Sequence, residues 1–325
     1  MINLIIFGNG KPVEDLVETL SSNKINVIGV KQDHKLEESQ QQSFLQFLES
    51  KKIPLVENIG DTNFKINLIL SVNYYKIIDV TKYEGILLLN LHIGLLPKYR
   101  GNNANAWAVI NGEQILGYTI HKLVEELDAG EIYYKFEYKI SIDKTYYETK
   151  KAINKDIKSN IEKTLIKIYN KELLPTSQIG KSFTYCLKLK PEDGIIIDWN
   201  INSEIFLRKF FVFSKPLGSG LKFYFKEVLW EIIELKPIHN YQVSIGVSGS
   251  ILYIENSNFS NIGIGVVSKD GSQVSVFNTV FKDVTLSPAM TFIKKSFYEA
   301  PKLVLQSCDI DVNSDLIAQT GTSIT

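Results

Sequence analysis

The chain has 325 residues, enough for two domains with a sizeable core. Apolar residues make up 44% of the chain, and 36 basic residues balance 36 acidic ones. A neutral chain with only two arginines, Arg100 and Arg208, implies no general attraction to polyanions and disfavours sequence-specific nucleic-acid recognition. Two distant cysteines argue against a disulfide framework. No apolar run approaches about 18 residues, so we expect a cytoplasmic protein without a membrane span.

Strand-like and helix-like segments alternate up to about residue 140. The strand-like apolar runs are 2–8, 25–30, 53–57, 66–72 and 86–93. Helical patterns lie near 12–20 and 41–50, and another is expected near 105–109. The alternation predicts an α/β, Rossmann-like domain with a doubly wound, mostly parallel sheet.

The next segments differ in pattern. Alternating residues at 116–124 and 131–140 predict antiparallel strands at the far edge of the sheet, and 143–174 contains an amphipathic helix. Residues 181–240 mix a turn and strand, a helix over 203–214 and hairpin strands within 222–235, which predicts a small α+β subdomain.

The tail from residue 241 contains repeats. Residues 249–259 align with 271–281 at a spacing of 22 residues, and 302–310 repeat the pattern. Short strands at such spacing predict a right-handed parallel β-helix-like module, and an irregular β-sandwich is the alternative. We therefore expect three parts: 1–180, 181–240 and 241–325.

Three polar residues form the strongest candidate site. Asn90 and His92 lie two apart in a predicted strand, so both point to one face, and Asp128 lies in a glycine-containing turn. An amide N–H can stabilise an oxyanion, an imidazole can move a proton, and a carboxylate can orient the imidazole. These groups suit direct acyl transfer to an amine through a tetrahedral intermediate. A structural hydrogen-bonded pair at a strand end is the alternative.

Other candidate sites are weaker. Gly8-Asn9-Gly10 imitates the start of a dinucleotide fingerprint, but Val13 occupies the third glycine position, which favours a tight strand-to-helix turn. For His121 a structural role and a catalytic role are equally compatible with the sequence. The spacing of four histidines and two cysteines predicts no metal site.

Two segments resemble a known family. NLHIGLLPKYRGNNANAWAVINGE (90–113), followed by GYTIHKLVEELDAGEI (117–132), is similar to the 10-formyltetrahydrofolate-dependent formyltransferases. That family includes enzymes acting on methionyl-tRNA, glycinamide ribonucleotide and nucleotide-linked amino sugars, and the resemblance extends over 1–235. It implies that Asn90, His92 and Asp128 are catalytic. Ile93-Gly94 departs from the Pro-Ser of many members, which we expect to alter loop packing more than chemistry.

The resemblance also implies a cofactor, 10-formyltetrahydrofolate, and no metal. Residues 71–78 would lie along the pteridine, with backbone groups of Lys76 and Ile78 binding it. The implied cofactor-binding residues are Tyr75, Lys76, Ile77, Ile78, Leu96 and Pro97. In these terms 1–180 is the catalytic domain and 181–240 is the family's C-terminal subdomain.

The acceptor is less defined. Residues 101–107 look more like sugar-formylating members, and the neutral charge fits a small molecule, so a nucleotide-linked amino sugar is favoured. The alternatives are methionyl-tRNA, whose enzymes should have a basic tail, and another small amine. Residues 241–325 hold five lysines, no arginine and seven acidic residues. A non-enzyme alternative is a carbohydrate-binding or assembly module with a vestigial folate domain. A homodimer contact and core packing explain the apolar residues of the hairpin within 222–235 equally well.

Overall fold

The computed structural model describes residues 1–222 except 21, 35, 141–144, 197–202 and 215, without the side chains of 203 and 204. Beyond residue 222 it describes the backbone of the strands alone. The elements up to Cys186 are, in chain order, β1 (Ile2–Gly8), α1 (Gly10–Thr19), β2 (Ile25–Lys31), α2 (Glu38–Ser50), β3 (Leu68–Val72), β4 (Leu87–His92), β5 (Arg100–Gly101), α3 (Ala104–Ile110), β6 (Ile115–Lys122), β7 (Ile132–Lys139), α4 (Tyr146–Tyr169) and β8 (Tyr185–Cys186).

A six-stranded sheet organises this region, in the order β2-β1-β3-β4-β6-β7. The first four strands are parallel, whereas β6 and β7 run antiparallel at one edge. This confirms the predicted Rossmann-like, mostly parallel sheet with an antiparallel edge. All five residues of β3 are buried, which explains why the central strands read as unbroken apolar runs.

The prediction of a strand at 53–57 is wrong. Only one isolated bridge forms there, between Val30 and Leu55. The neighbouring Pro54 has no N–H to donate to a ladder, so the pairing does not extend.

Helix α4 shows how local sequence sets an element's bounds. Thr145 accepts a hydrogen bond from the Glu148 N–H, and the Glu148 carboxylate accepts one from the Thr145 N–H, which fixes the helix start. Ile153, Ile157 and Ile161 lie at four-residue spacing and are buried. The predicted amphipathic helix within 143–174 is therefore confirmed. Across the described residues, no helix combines the length and apolarity that crossing a membrane requires.

The chain divides into two compact units. One comprises Met1–Ala108 and Glu113–Lys188, and the other comprises Val109–Gly112 and Leu189–Thr325. In the second unit lie β9 (Ile195–Ile196), α5 (Ser203–Phe213), β10 (Leu221–Phe225) and β11 (Val228–Ile238). Strands β10 and β11 pair antiparallel, as the hairpin prediction requires. The predicted bounds of the three domains stay predictions.

The remaining strands are β12 (Gln242–Val247), β13 (Ile251–Glu255), β14 (Asn258–Ser260), β15 (Gly263–Ser268), β16 (Gln273–Phe277), β17 (Val280–Lys282), β18 (Thr285–Pro288), β19 (Lys302–Gln306), β20 (Asp309–Ile310), β21 (Asp315–Leu316) and β22 (Ser323–Ile324). Their parallel partners include Ile251 with Gln273 and Asn258 with Val280, the offset of 22 residues found in the repeats. The side chains of this tail, including Cys308, lie outside the described residues. The β-helix class stays a prediction.

Candidate active site

Pairing of β4 with β6 brings polar side chains together. In this antiparallel ladder Asn90 lies opposite His121, and His92 lies opposite Thr119. Because side chains of directly paired residues share a face of the sheet, His121 is a neighbour of Asn90. The connection 123–131 between β6 and β7 then brings Asp128 to both histidines.

Asp128 lies at the centre of this cluster. Its Oδ1 accepts a hydrogen bond from Asn90 Nδ2 at 3.3 Å and lies 3.3 Å from His121 Nε2. Its Oδ2 accepts the Gly101 N–H at 2.7 Å and lies 3.4 Å from His92 Nδ1. The structure therefore brings together the three residues predicted from sequence, Asn90, His92 and Asp128, and adds His121.

The hydrogen bonds of the two imidazoles indicate their tautomers. His92 Nε2 lies 2.9 Å from the carbonyl oxygen of Tyr99, and His121 Nδ1 lies 2.9 Å from that of Lys122. A carbonyl oxygen only accepts, so these nitrogens carry the protons. In a neutral His92 the lone pair of Nδ1 consequently faces Asp128. In a neutral His121 the lone pair of Nε2 faces the Asn90 amide, 3.1 Å away.

Burial sets the charge states of this pair. Burial lowers the pKa of His92, and the attraction of Asp128 opposes this only in part. Burial raises the pKa of Asp128, but the contact with His121, the positive charge of the two imidazoles when they are protonated and the Gly101 N–H outweigh it and lower that pKa to about 2. At neutral pH the site therefore holds an ionised carboxylate beside a neutral imidazole, which is ready to accept a proton.

The Asn90 amide is less free than the sequence suggested. Its Nδ2 has two acceptors, His121 Nε2 and Asp128 Oδ1. One of these bonds must be exchanged before Asn90 can donate to a substrate oxygen. The sequence does not decide the role of His121, because the β4–β6 register that places it beside Asn90 is not visible in periodicity.

Gly94 makes room for the His92 ring. A Cβ atom at this position would lie 2.4 Å from the Ala104 Cβ and 2.7 Å from His92 Nε2. Both separations are shorter than a carbon atom tolerates, so a larger residue would displace the ring or the helix α3. The departure at residue 94 from the Pro-Ser pattern therefore lies directly against His92.

The predicted cofactor residues lie on two loops that follow β3 and β4. Because Ser71 pairs with Asn90 in parallel strands, residues 73–79 leave the sheet beside the site. In this segment the Tyr75 and Ile77 side chains are exposed, Lys76 is also exposed, and Ile78 packs against the core. The buried Asp33 carboxylate accepts the Tyr75 N–H and anchors the segment.

The second loop is bound to β6. The hydroxyl of Thr119 donates to the Gly94 carbonyl at 2.7 Å and accepts the Leu96 N–H at 3.2 Å. Leu96 is buried and Pro97, joined to it by a cis peptide bond, is half-buried. Within the described side chains, no group of three or more His, Cys, Asp or Glu could hold a metal ion.

Comparisons with known proteins identify a family and several relatives. Residues 2–166 match the family model described as formyl transferase. The bifunctional polymyxin resistance protein ArnA of Wigglesworthia glossinidia brevipalpis is 29% identical over 174 residues, which are 52% of this chain and 26% of that protein. Methionyl-tRNA formyltransferase of Mesoplasma florum is 36% identical over 131 residues, which are 38% of this chain and 39% of that protein.

Solved structures share the fold. The N-formyltransferase of Helicobacter canadensis, in complex with folinic acid and dTDP-3-aminofucose, superposes with a TM-score of 0.59 at 19% identity. The match covers 74% of this chain and 91% of that one. The chain spans less than half the length of the two curated relatives above. Because the family model covers half of its residues, the chain belongs to the formyl transferase family.

Proposed function

We propose that this protein transfers a formyl group from 10-formyltetrahydrofolate to the amine of a nucleotide-linked amino sugar. The observation that carries the proposal is the buried His92–Asp128 pair beside Asn90, in which a neutral imidazole directs a lone pair towards an ionised carboxylate. Family membership supports formyl transfer as the reaction class. 10-Formyltetrahydrofolate, when bound, supplies the formyl group.

The loop after β3 fits such a donor. Tyr75 and Ile77 expose apolar surface beside the carboxyl ends of β3 and β4, where an aromatic ring system can pack. The Tyr75 N–H is held by Asp33, so the segment starts from a fixed point. We assign Tyr75, Lys76, Ile77 and Ile78, with the Leu96–Pro97 loop, to this donor site.

The chain's own groups can carry the charge and the proton. As the acceptor nitrogen bonds to the formyl carbon, the carbonyl oxygen becomes negative, and an Asn90 N–H that leaves His121 or Asp128 donates to it. His92 takes the proton of the attacking amine at Nδ1, and Asp128 stabilises the resulting imidazolium. Cleavage of the old carbon–nitrogen bond returns this proton to the departing nitrogen, so the site ends as it began.

Three observations favour a small sugar-linked acceptor. The structural relative from H. canadensis was solved with dTDP-3-aminofucose. The chain has no net charge and only two arginines, whereas binding of tRNA relies on a basic surface. The tail, with five lysines, no arginine and seven acidic residues, also differs from a basic RNA-binding domain. We propose a β-helix-like module there, whose extended faces suit carbohydrate.

Methionyl-tRNA formyl transfer is the second candidate, because a curated relative with 36% identity carries that name. The decisive experiment offers the full chain 10-formyltetrahydrofolate together with dTDP-linked 3-amino and 4-amino sugars, other small amines, or charged initiator tRNA. We expect tetrahydrofolate release and a formylated sugar. Transfer to tRNA alone would overturn the sugar assignment. Absence of folate binding would favour a carbohydrate-binding module instead. The homodimer and the cytoplasmic location stay predictions.

A further inference from the structure

The backbone of Asp128 has a conformation that needs external support. Its φ is +52°, in the left-handed region that residues with a Cβ atom rarely adopt. Aspartate tolerates this region better than most residues, but the conformation still costs about 1 kcal/mol and persists only where neighbours hold it. The carboxylate also reaches its two histidines at 3.3 and 3.4 Å, so a small shift of the backbone would separate them.

Gln178 supplies the first part of that support. Its Nε2 donates two hydrogen bonds, to the carbonyl of Asp128 at 2.9 Å and to the carbonyl of Gly130 at 2.5 Å. The side chain is 4% exposed, so water does not replace these bonds. A single amide group thus holds the carbonyls on both sides of Ala129 and fixes the direction in which Asp128 leaves the backbone.

Arg100 fixes the orientation of that amide. Its Nη2 donates to Gln178 Oε1 at 3.2 Å, so a flipped amide would direct N–H groups at the guanidinium and its oxygen at two carbonyls. Arg100 is itself 3% exposed, and its guanidinium lies 4.3 Å from the centre of the Phe183 ring. Its Nη1 donates to Glu126 Oε1 at 2.7 Å, which is a second hydrogen-bonded link to the connection 123–131 that contains Asp128.

Gln178 and Arg100 belong to segments that are themselves held by backbone hydrogen bonds. Gln178 follows Thr176, which exchanges two backbone hydrogen bonds with Ile132 at the start of β7. Arg100 belongs to β5, which pairs with β8. The next residue, Gly101, donates its N–H to the Asp128 carboxylate. Backbone and side chain of Asp128 are therefore held by the same two anchored segments.

We propose that Gln178 and Arg100 are positioning residues, which hold the Asp128 carboxylate against His92 and His121 and act on the reaction only through it. The proposal rests on the proposed formyl transfer for its kinetic consequences. Its structural consequence, a change in the surroundings of His92, does not depend on any substrate.

The test uses the full chain with Gln178→Leu, which removes both donors, and Gln178→Glu, which keeps the size and the oxygen facing Arg100. Ser177→Ala is the matched control, because the Ser177 hydroxyl contacts only the neighbouring Ile179 N–H among the described hydrogen bonds. For each protein, kcat and the KM values for donor and acceptor are measured. We expect kcat to fall about 10- to 100-fold in the Gln178 variants, with KM for the donor changed less than about threefold.

A double variant separates positioning from general stability. If Gln178 acts only through Asp128, Asp128→Asn combined with Gln178→Leu should turn over within about twofold of Asp128→Asn alone. A residue that merely stabilises the fold would multiply the two losses. Multiplied losses, or wild-type kcat in both Gln178 variants, would overturn the proposal.

NMR titration of the His92 ring supplies a readout without turnover. Loss of the nearby carboxylate removes the attraction that favours the imidazolium, so the pKa of His92 should fall in both Gln178 variants as in Asp128→Asn, and stay unchanged in Ser177→Ala. If no amine is formylated by the wild type, the proposed function fails, while this titration still decides whether Gln178 positions the Asp128 carboxylate. An unchanged pKa of His92 in both folded Gln178 variants would overturn it.

Discussion

Two buried aspartates of this chain, Asp128 and Asp33, have the same kinds of neighbours, but we expect them to play different roles in the protein. Asp128 and Asp33 are 8% and 3% exposed, and each contacts an asparagine amide, a histidine and a backbone N–H. The His34 side chain beside Asp33 is 51% exposed, whereas that of His92 beside Asp128 is 6% exposed. The two Asp–His pairs therefore differ in the solvent exposure of the histidine.

The distance between imidazole and carboxylate distinguishes the two pairs. His34 Nδ1 lies 2.6 Å from Asp33 Oδ1, which is a hydrogen-bond distance. His92 Nδ1 lies 3.4 Å from Asp128, and its other nitrogen already donates to the Tyr99 carbonyl. The first pair thus forms a close contact in the resting state, whereas Nδ1 of His92 gains a proton only when His92 acts as a base.

Replacing each histidine should give the largest difference. We expect His92→Asn to lower kcat about a hundredfold or more, because the proton acceptor is lost, while binding of a folate analogue is retained. The corresponding His34→Asn variant should keep kcat within about twofold, since half of this side chain is exposed to solvent and its Nδ1 already contacts Asp33. Steady-state kinetics and calorimetric folate binding measure both effects. Full activity of His92→Asn would remove His92 from the mechanism.

Acid should reveal a second difference. The pKa of Asp128 is lowered to about 2 in the folded protein, against 3.8 in an unstructured chain. A carboxylate with a lowered pKa stabilises the fold above the unfolded value, and this contribution disappears as the pH falls from about 4 to about 2. The shift corresponds to about 2 kcal/mol. Asp128→Asn should therefore lose less unfolding free energy than the wild type over this range.

The control for this measurement is Glu125→Gln, which changes the net charge equally and lies exposed in the same connection. Because burial also lowers the pKa of His92, the unfolded state of every variant gains a proton there as the pH falls below 6.5. The comparison is therefore made in a His92→Asn background, by urea unfolding at each pH from 5 to 2. Parallel curves with and without Asp128→Asn in this background would contradict the prediction.

The same comparison shows what the sequence predicts and what it does not. Asn90 and His92 share a face because strand residues alternate, so their pairing is visible from a spacing of two. His121 and Gln178 are not visible in this way. His121 reaches Asn90 through the β4–β6 register, and Gln178 contacts a backbone 50 residues earlier from an irregular segment.

Prediction of the strands from the sequence has similar limits. Apolar runs alternating with helical periods predict the parallel strands, since both faces of those strands are buried. Residues 53–57 have a strand-like run as well, yet the missing N–H of Pro54 limits them to one bridge. The pattern of apolar residues indicates which segments are buried. Which of them pair as strands depends on the register and on individual backbone N–H donors.

Asp33 should affect binding rather than turnover. Its carboxylate accepts the Tyr75 N–H and the Asn9 amide, and so anchors the segment proposed to contact the donor. In Asp33→Asn an NH₂ group replaces one accepting oxygen and faces another donor, which loosens that anchor. We expect KM for 10-formyltetrahydrofolate to rise about three- to tenfold, with kcat within about twofold, because the loss is limited to about one hydrogen bond.

Asp79→Asn is the matched control, since its exposed carboxylate lies at the far end of the same segment and binds only the nearby Thr81 and Lys82 among the described contacts. KM for the donor should stay unchanged in this variant. The opposite kinetic pattern in Asp33→Asn, a fall in kcat with an unchanged KM, would place Asp33 with Asp128 in the chemistry. The two aspartates would then differ in their histidines but not in their roles, and the exposed His34 would have to be tested as a second proton acceptor.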